Sequence, residues 1–71
     1  MPATLVNRLR EERENRGWTQ GELAARSGFS RKTVNTIENR VIVPSALVAL
    51  KIAAALGVPF EQLFWIEESG G

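Results

Sequence analysis

The chain predicts an all-α fold, five short helices packed as one domain. Thr19 and Ser30 both read as helix N-caps, and Gly28 stands between them where the first of two adjoining helices must stop. Further on, Pro44-Ser45 opens and Gly57 closes an apolar stretch of helical length.

In chain order, helix one spans roughly Leu5 to Arg16 and ends at Gly17, with a thin apolar stripe of Leu5, Val6 and Leu9. Helix two starts at Thr19, whose hydroxyl pairs with Glu22 three residues on in a capping box, and Trp18 with Leu23 suits a hydrophobic staple. Leu23 and Ala24 face inward, and the small Ala24 lets the next helix approach closely. Gly28 supplies a left-handed turn without a Cβ penalty. Helix three repeats the logic, with Ser30 as cap and Phe29 and Val34 as staple. Val34 and Ile37 lie inside it, while Arg31, Lys32, Asn35 and Thr36 fall on the outward side. Residues 46–56, capped by Ser45, are apolar almost all round, as suits a central buried helix. Pro59 begins a short fifth helix carrying Phe60, Leu63 and Phe64, and Trp65-Ile66 heads an extended tail whose Ser69-Gly70-Gly71 end should fray. Residues 3–6 and 64–66 both suit strands, so the fold class includes a short two-stranded pairing of the N- and C-terminal segments.

Seventy-one residues make a single domain over 1–71. A chain this short buries only about 60% of its unfolded surface, so dimerisation would help it. A hydrophobic content of 44% is that of a globular protein. With no Cys there is no disulfide framework or thiolate metal site, and no apolar run approaches the ~20 residues of a membrane span. A signal-peptide layout is missing too, so a cytoplasmic location is expected. The chain has no His, Cys, Asp or Tyr, an inventory that argues against an enzyme and against a metal or other cofactor. The net charge of +1 hides an uneven distribution. Between residues 26 and 51, Arg26, Arg31, Lys32, Arg40 and Lys51 face Glu38 alone, while the other acids lie toward the two ends. A basic middle of this kind fits an electrostatic footprint for nucleic acid, but charge alone favours a solvated, mixed-sign surface.

Residues 19–39 therefore read as two short helices and a tight turn, the second helix presenting long polar side chains. That is how a helix-turn-helix reads DNA. Arg31 or Lys32 suits the two acceptors of guanine, and Asn35 suits adenine. Gln20, Ser30, Thr33 and Arg40 suit phosphate, which fixes register without carrying sequence information. So small a domain cannot bury Phe60, Phe64, Trp65 and Ile66 along with Val41, Ile42 and Val43. A two-fold homodimer is expected, built from 41–43 and 58–67, with Val41, Ile42, Val43, Phe60 and Phe64 at the interface and Val43 and Phe60 the preferred contacts.

Over nearly its whole length the chain resembles the Cro and phage-repressor family of regulators. The resemblance is carried by Arg13, Thr19-Gln20, Leu23-Ala24, Gly28, Ser30-Arg31, Thr33-Val34, Ile37-Glu38-Asn39, Pro44-Ser45, Leu50, Ile52-Ala53, Leu56-Gly57-Val58 and Leu63-Phe64. It implies a compact five-helix lambda-repressor-like domain. By the same resemblance Gln20 touches a phosphate and braces the recognition helix, Arg31, Lys32 and Thr36 occupy base-reading positions with Asn35 beside them, and Arg13 pairs with Glu38 between helices one and three. Three departures stand out. Arg40 and Val41 follow Glu-Asn where the family has Gly and a polar residue, so Asn39 or Arg40 must take the left-handed turn. The 41–43 loop is unusually apolar, and a phosphate-binding lysine is missing, with Arg40 as its substitute. Glu12 replaces a common Leu, weakening the packing of helix one. The implied function is a sequence-specific transcriptional regulator, a repressor on an inverted-repeat operator in double-stranded DNA, with no small-molecule ligand. The alternative is an antitoxin or protein-interaction module, or the reader domain of a longer regulator.

Overall fold

The computed structural model describes residues 3–68. In chain order these form β1 (Ala3–Asn7), α1 (Leu9–Asn15), α2 (Gln20–Ser27), α3 (Arg31–Glu38), α4 (Ala46–Leu56), α5 (Phe60–Leu63) and β2 (Phe64–Glu68). The five helices surround one core in which Leu9, Leu23, Ala24, Val34, Ile37, Ala49, Ile52, Ala53, Leu56, Leu63 and Phe64 are buried. Every helix sends at least one residue into that core, and the inward positions predicted for α2 and α3 are all there.

The caps explain the boundaries. Thr19 Oγ1 accepts the Glu22 amide at 3.1 Å, Ser30 Oγ that of Thr33 at 3.1 Å, and Ser45 Oγ that of Val48 at 3.2 Å. Only half of the capping box forms, because among the described residues the Glu22 carboxylate makes no return bond. Gly28 ends α2 at φ 81°, left-handed as its place between two caps requires.

Helix one begins later than its apolar stripe predicts. Leu5 and Val6 belong to β1, which pairs antiparallel with β2 in the register Leu5 to Ile66 and Val6 to Trp65. Asn7 makes the corner: its Oδ1 accepts the Leu9 amide at 3.1 Å and its Nδ2 donates to the Ile37 carbonyl at 3.1 Å. Phe64 likewise opens β2 rather than closing α5, and Trp65-Ile66 are strand residues; the fraying expected of Ser69–Gly71 lies outside the described residues.

Two further expectations are corrected. Helix α4 is not buried all round, since Leu47 and Leu50 point to solvent. Glu12 does not simply weaken α1, because it accepts from Arg16 at 2.9 Å, and Arg16 in turn donates to the Leu56 carbonyl at 2.6 Å. A cation at a helix C-terminus satisfies an orphan carbonyl there and opposes the negative end of the dipole.

Candidate nucleic-acid interface

The site is built on α3 and on the start of α2. Ser30 caps α3, and its hydroxyl also lies 2.9 Å from the Thr33 hydroxyl, so the first turn is held before anything binds. Arg31, Lys32 and Asn35 are exposed on the outward face, in line with helical periodicity. Thr36 shares that face but is half-buried, and its hydroxyl donates back to the Lys32 and Thr33 carbonyls of its own helix. With its proton so used, the Thr36 hydroxyl has only acceptor capacity left.

The inner side of α3 is locked to α1 by charge. Arg13 Nε reaches Glu38 Oε2 at 2.7 Å, Arg13 Nη2 reaches Oε1 at 3.1 Å, and Arg13 Nη1 donates to the Trp18 carbonyl at 2.8 Å. Burial by itself would push the Glu38 carboxyl up. Hydrogen bonds from Arg13 and Gln20, the Arg13 charge and the bond from Arg10 outweigh it, and the group is held below the usual carboxylate range. Hydrogen bonding to Glu38 raises Arg13 above its ordinary value, so both partners are charged.

Gln20 joins this network to the outer face. Its Nε2 donates to Glu38 Oε1 at 3.2 Å and its Oε1 accepts from Asn35 Nδ2 at 3.3 Å. An open cleft lined by Arg13, Thr19, Gln20, Gly21 and Arg31 lies at the N-terminus of α2. Free amides, a positive dipole end and Arg31 give this cleft the chemistry of an anion site.

Arg40 lies at the far end of α3 with φ 59°, left-handed and the one non-glycine with positive φ among the described residues. Asn39 does not take that turn; it stays at φ −90°. Bonds from the Arg40 amide to the Ile37 carbonyl and from the Val41 amide to the Thr36 carbonyl complete a Schellman motif around Arg40. Arg40 lines a groove with Thr4, Leu5 and Val43.

Not all of the basic middle faces the same way. The Arg26 guanidinium stacks 4.2 Å from the Trp18 ring centroid, and the Lys51 ammonium lies 5.9 Å from that of Phe29. Arg31, Lys32 and Arg40 remain as exposed cations on and just beyond α3. Arg10 escaped the sequence reading, yet its Nη2 donates to Asn39 Oδ1 at 3.0 Å and its Nε lies 3.5 Å from Glu38 Oε1. The one available signal is its position a turn before Arg13 on the same helix face.

Of the residues assigned to a dimer surface, Val41, Ile42 and Val43 are exposed and Phe60 is half-buried. Phe64 does not belong with them. It is 2% exposed, part of the core, with its ring stacked on Phe60 at 5.5 Å. Leu47 and Leu50, not foreseen as surface, are 64% and 54% exposed.

A capped α2, a left-handed turn and an α3 with its polar face outward, on a five-helix scaffold, define a helix-turn-helix DNA-binding domain. A family model described as "Helix-turn-helix" matches residues 9–63. The chain belongs to that family, the helix-turn-helix transcriptional regulators of Cro type. It is 42% identical over 64 residues to the HTH-type transcriptional regulator YgzD of Bacillus subtilis, covering 90% of this chain and 97% of that one. It is 41% identical over 63 residues to an HTH-type transcriptional regulator of Methanothermobacter thermautotrophicus, covering 87% and 91%. Among solved structures, the hypothetical transcription factor NHTF from Neisseria superposes with a TM-score of 0.73 at 39% identity, covering 76% of this chain and 61% of that one. The chain is thus a DNA-binding transcriptional regulator rather than an enzyme. No helix among the described residues is long and apolar enough to cross a membrane.

Proposed function

We propose that this regulator is a sequence-specific repressor that binds an inverted-repeat operator as a homodimer, with α3 in the major groove. The observation that carries the reading is the exposed Arg31, Lys32 and Asn35 on the outward face of a rigidly anchored α3. In this reading those three, with Thr36, meet base edges, and Gln20, Ser30, Thr33 and Arg40 meet phosphates on either side. Residues 19–39 form the reading unit of one domain, 1–71, acting on the nucleoid in the cytoplasm. A repressor of this kind works by occupying a promoter and needs no cofactor or small-molecule ligand.

The proposed dimer uses the apolar 41–43 loop and the 58–67 segment. Val41 and Val43, 70% and 76% exposed, support it, as does their continuity along the chain with Leu47 and Leu50. A two-fold axis through this surface would set two α3 helices about one DNA turn, ~34 Å, apart. The same exposed apolar surface also favours a second reading, an interaction module or antitoxin that meets another protein there.

Selection of random duplex DNA on the purified protein, followed by titration at two salt concentrations, tests the proposal. A palindromic motif bound far more tightly than random DNA is expected. Weak, salt-sensitive binding without a motif would overturn it in favour of the second reading.

A further inference from the structure

We propose that Arg10 on α1 is a DNA-backbone contact, its guanidinium held at the rim of α3 so that its spare N–H groups meet one phosphate per half-site. The inference rests on the DNA-reading role of α3 proposed above. It starts from a charge count around Glu38. Two guanidinium groups, those of Arg10 and Arg13, approach this single carboxylate, so one positive charge is left over. Arg13 holds the carboxylate through two bonds of 2.7 and 3.1 Å, and its side chain is 11% exposed. Arg10 approaches through Nε alone, at 3.5 Å, and its side chain is 54% exposed. The uncompensated charge is therefore that of Arg10, on the solvent side. Among the described residues Arg10 pairs with no other carboxylate; Glu14, one turn further along α1, forms no bridge with it.

Asn39 decides where that charge sits. It follows the last residue of α3, and its amide still bonds to the Asn35 carbonyl at 3.1 Å. Helical spacing therefore puts it on the outward stripe of Lys32, Asn35 and Thr36, and it is exposed there. Asn39 Nδ2 donates to the same carbonyl at 2.9 Å, which turns Oδ1 toward Arg10, whose Nη2 donates to it at 3.0 Å. The guanidinium is thus anchored at the C-terminal end of the outward face, the end opposite Arg31. A guanidinium carries five donors in one plane. Those not turned toward Glu38 and Asn39 have no partner among the described residues. An α3 seated in the major groove has a phosphate backbone along each side, and a planar donor fork matches phosphate oxygens.

The test compares wild type with Arg10→Gln, which removes the charge but keeps a donor, and with Arg10→Lys, which keeps the charge. Each is checked for a cooperative melt, then titrated against the selected operator and random duplex at a series of salt concentrations. Arg10→Gln should weaken both duplexes by the same factor, about tenfold per half-site near ~0.1 M salt, and lower the salt slope by about one per half-site. Arg10→Lys should keep the wild-type slope. Operators carrying one uncharged methylphosphonate at a time locate the contact. Wild type should lose affinity at one phosphate per half-site where Arg10→Gln is indifferent. If Arg10→Gln does not fold, Arg10→Met carries the same comparison. An unchanged salt slope in the uncharged variant would overturn the proposal, whatever its melting temperature, and leave Arg10 a structural partner of Glu38. A loss confined to the operator, or methylphosphonate profiles that coincide, would overturn it as well. A wild-type protein that binds no duplex would instead sink the DNA-reading role of α3, and this proposal with it.

Discussion

Arg13 on α1 and Glu38 on α3, 25 residues apart, meet through two parallel hydrogen bonds of 2.7 and 3.1 Å between planar groups. The Glu38 side chain is fully buried and that of Arg13 is 11% exposed. The pair connects the inner face of α3 to the rest of the bundle. Glu38→Ala removes one partner and strands the Arg13 charge, which should cost about 3–5 kcal/mol. Urea unfolding measures it, and a loss below about 1 kcal/mol would reduce the pair to an ordinary surface bridge.

The same carboxylate sets a pH dependence. Glu38 is held below its ordinary value in the folded chain, so the unfolded chain binds the proton more readily. Its stabilisation is fully present above the unfolded value of about 4.3 and is lost as pH falls through the lower folded value. The melting temperature should therefore fall as pH drops below about 4, and Glu38→Gln should flatten that slope. A variant with the wild-type acid profile would assign the slope to other carboxylates.

Arg40 holds a backbone conformation that a glycine adopts freely and an L side chain does not. Arg40→Gly should raise stability by about 1 kcal/mol by releasing this strain. If the guanidinium meets a phosphate, the same change weakens binding to all duplexes alike and lowers the salt slope by about one. Unchanged DNA binding alongside the stability gain would remove Arg40 from the interface.

Arg31 sits at the first position of α3, exposed, with the open cleft at the start of α2 beside it. Arg31→Ala should lose about 1–3 kcal/mol on the selected operator and less on random DNA. Competition titration separates these, and equal losses on both would make Arg31 a phosphate contact.

Val43 is the cleaner probe of the proposed dimer, because Phe60 also packs on Phe64 in the core. Val43→Glu should give folded monomers by light scattering and weaker operator binding. A dimer that persists would place the interface elsewhere, and Leu47→Glu on α4 would be the next variant to examine.

Local features were the legible ones. Thr19, Ser30, Ser45 and Gly28 act within a few residues of their own position, so the bounds of α2, α3 and α4 could be read directly. Leu5 and Val6 misled because their apolar character fits a helical stripe equally well, and only the distant Trp65 and Ile66 make them strand. Leu47 and Leu50 failed differently: an all-apolar helix carries no polar stripe to mark its outer face. At the site, outward placement of Arg31, Lys32 and Asn35 followed from period alone. The Glu38–Gln20–Asn35 chain did not, because it joins side chains 15 and 18 residues apart whose reach depends on how α2 crosses α3.

The pairing of Ala3 with Glu68 places the two ends of the described chain about 5 Å apart, the spacing of neighbouring strands. The helices meet through contacts of shorter span, 25 residues for Arg13–Glu38 and 40 for Arg16–Leu56, whereas the sheet closes a loop of the whole described chain. On a ribosome β1 must therefore wait, unpaired, until β2 has emerged. Residues 3–68 are topologically nearly a ring, and in that segment a short linker joining 3 to 68 would allow the chain to be opened instead at an exposed turn such as Gly57.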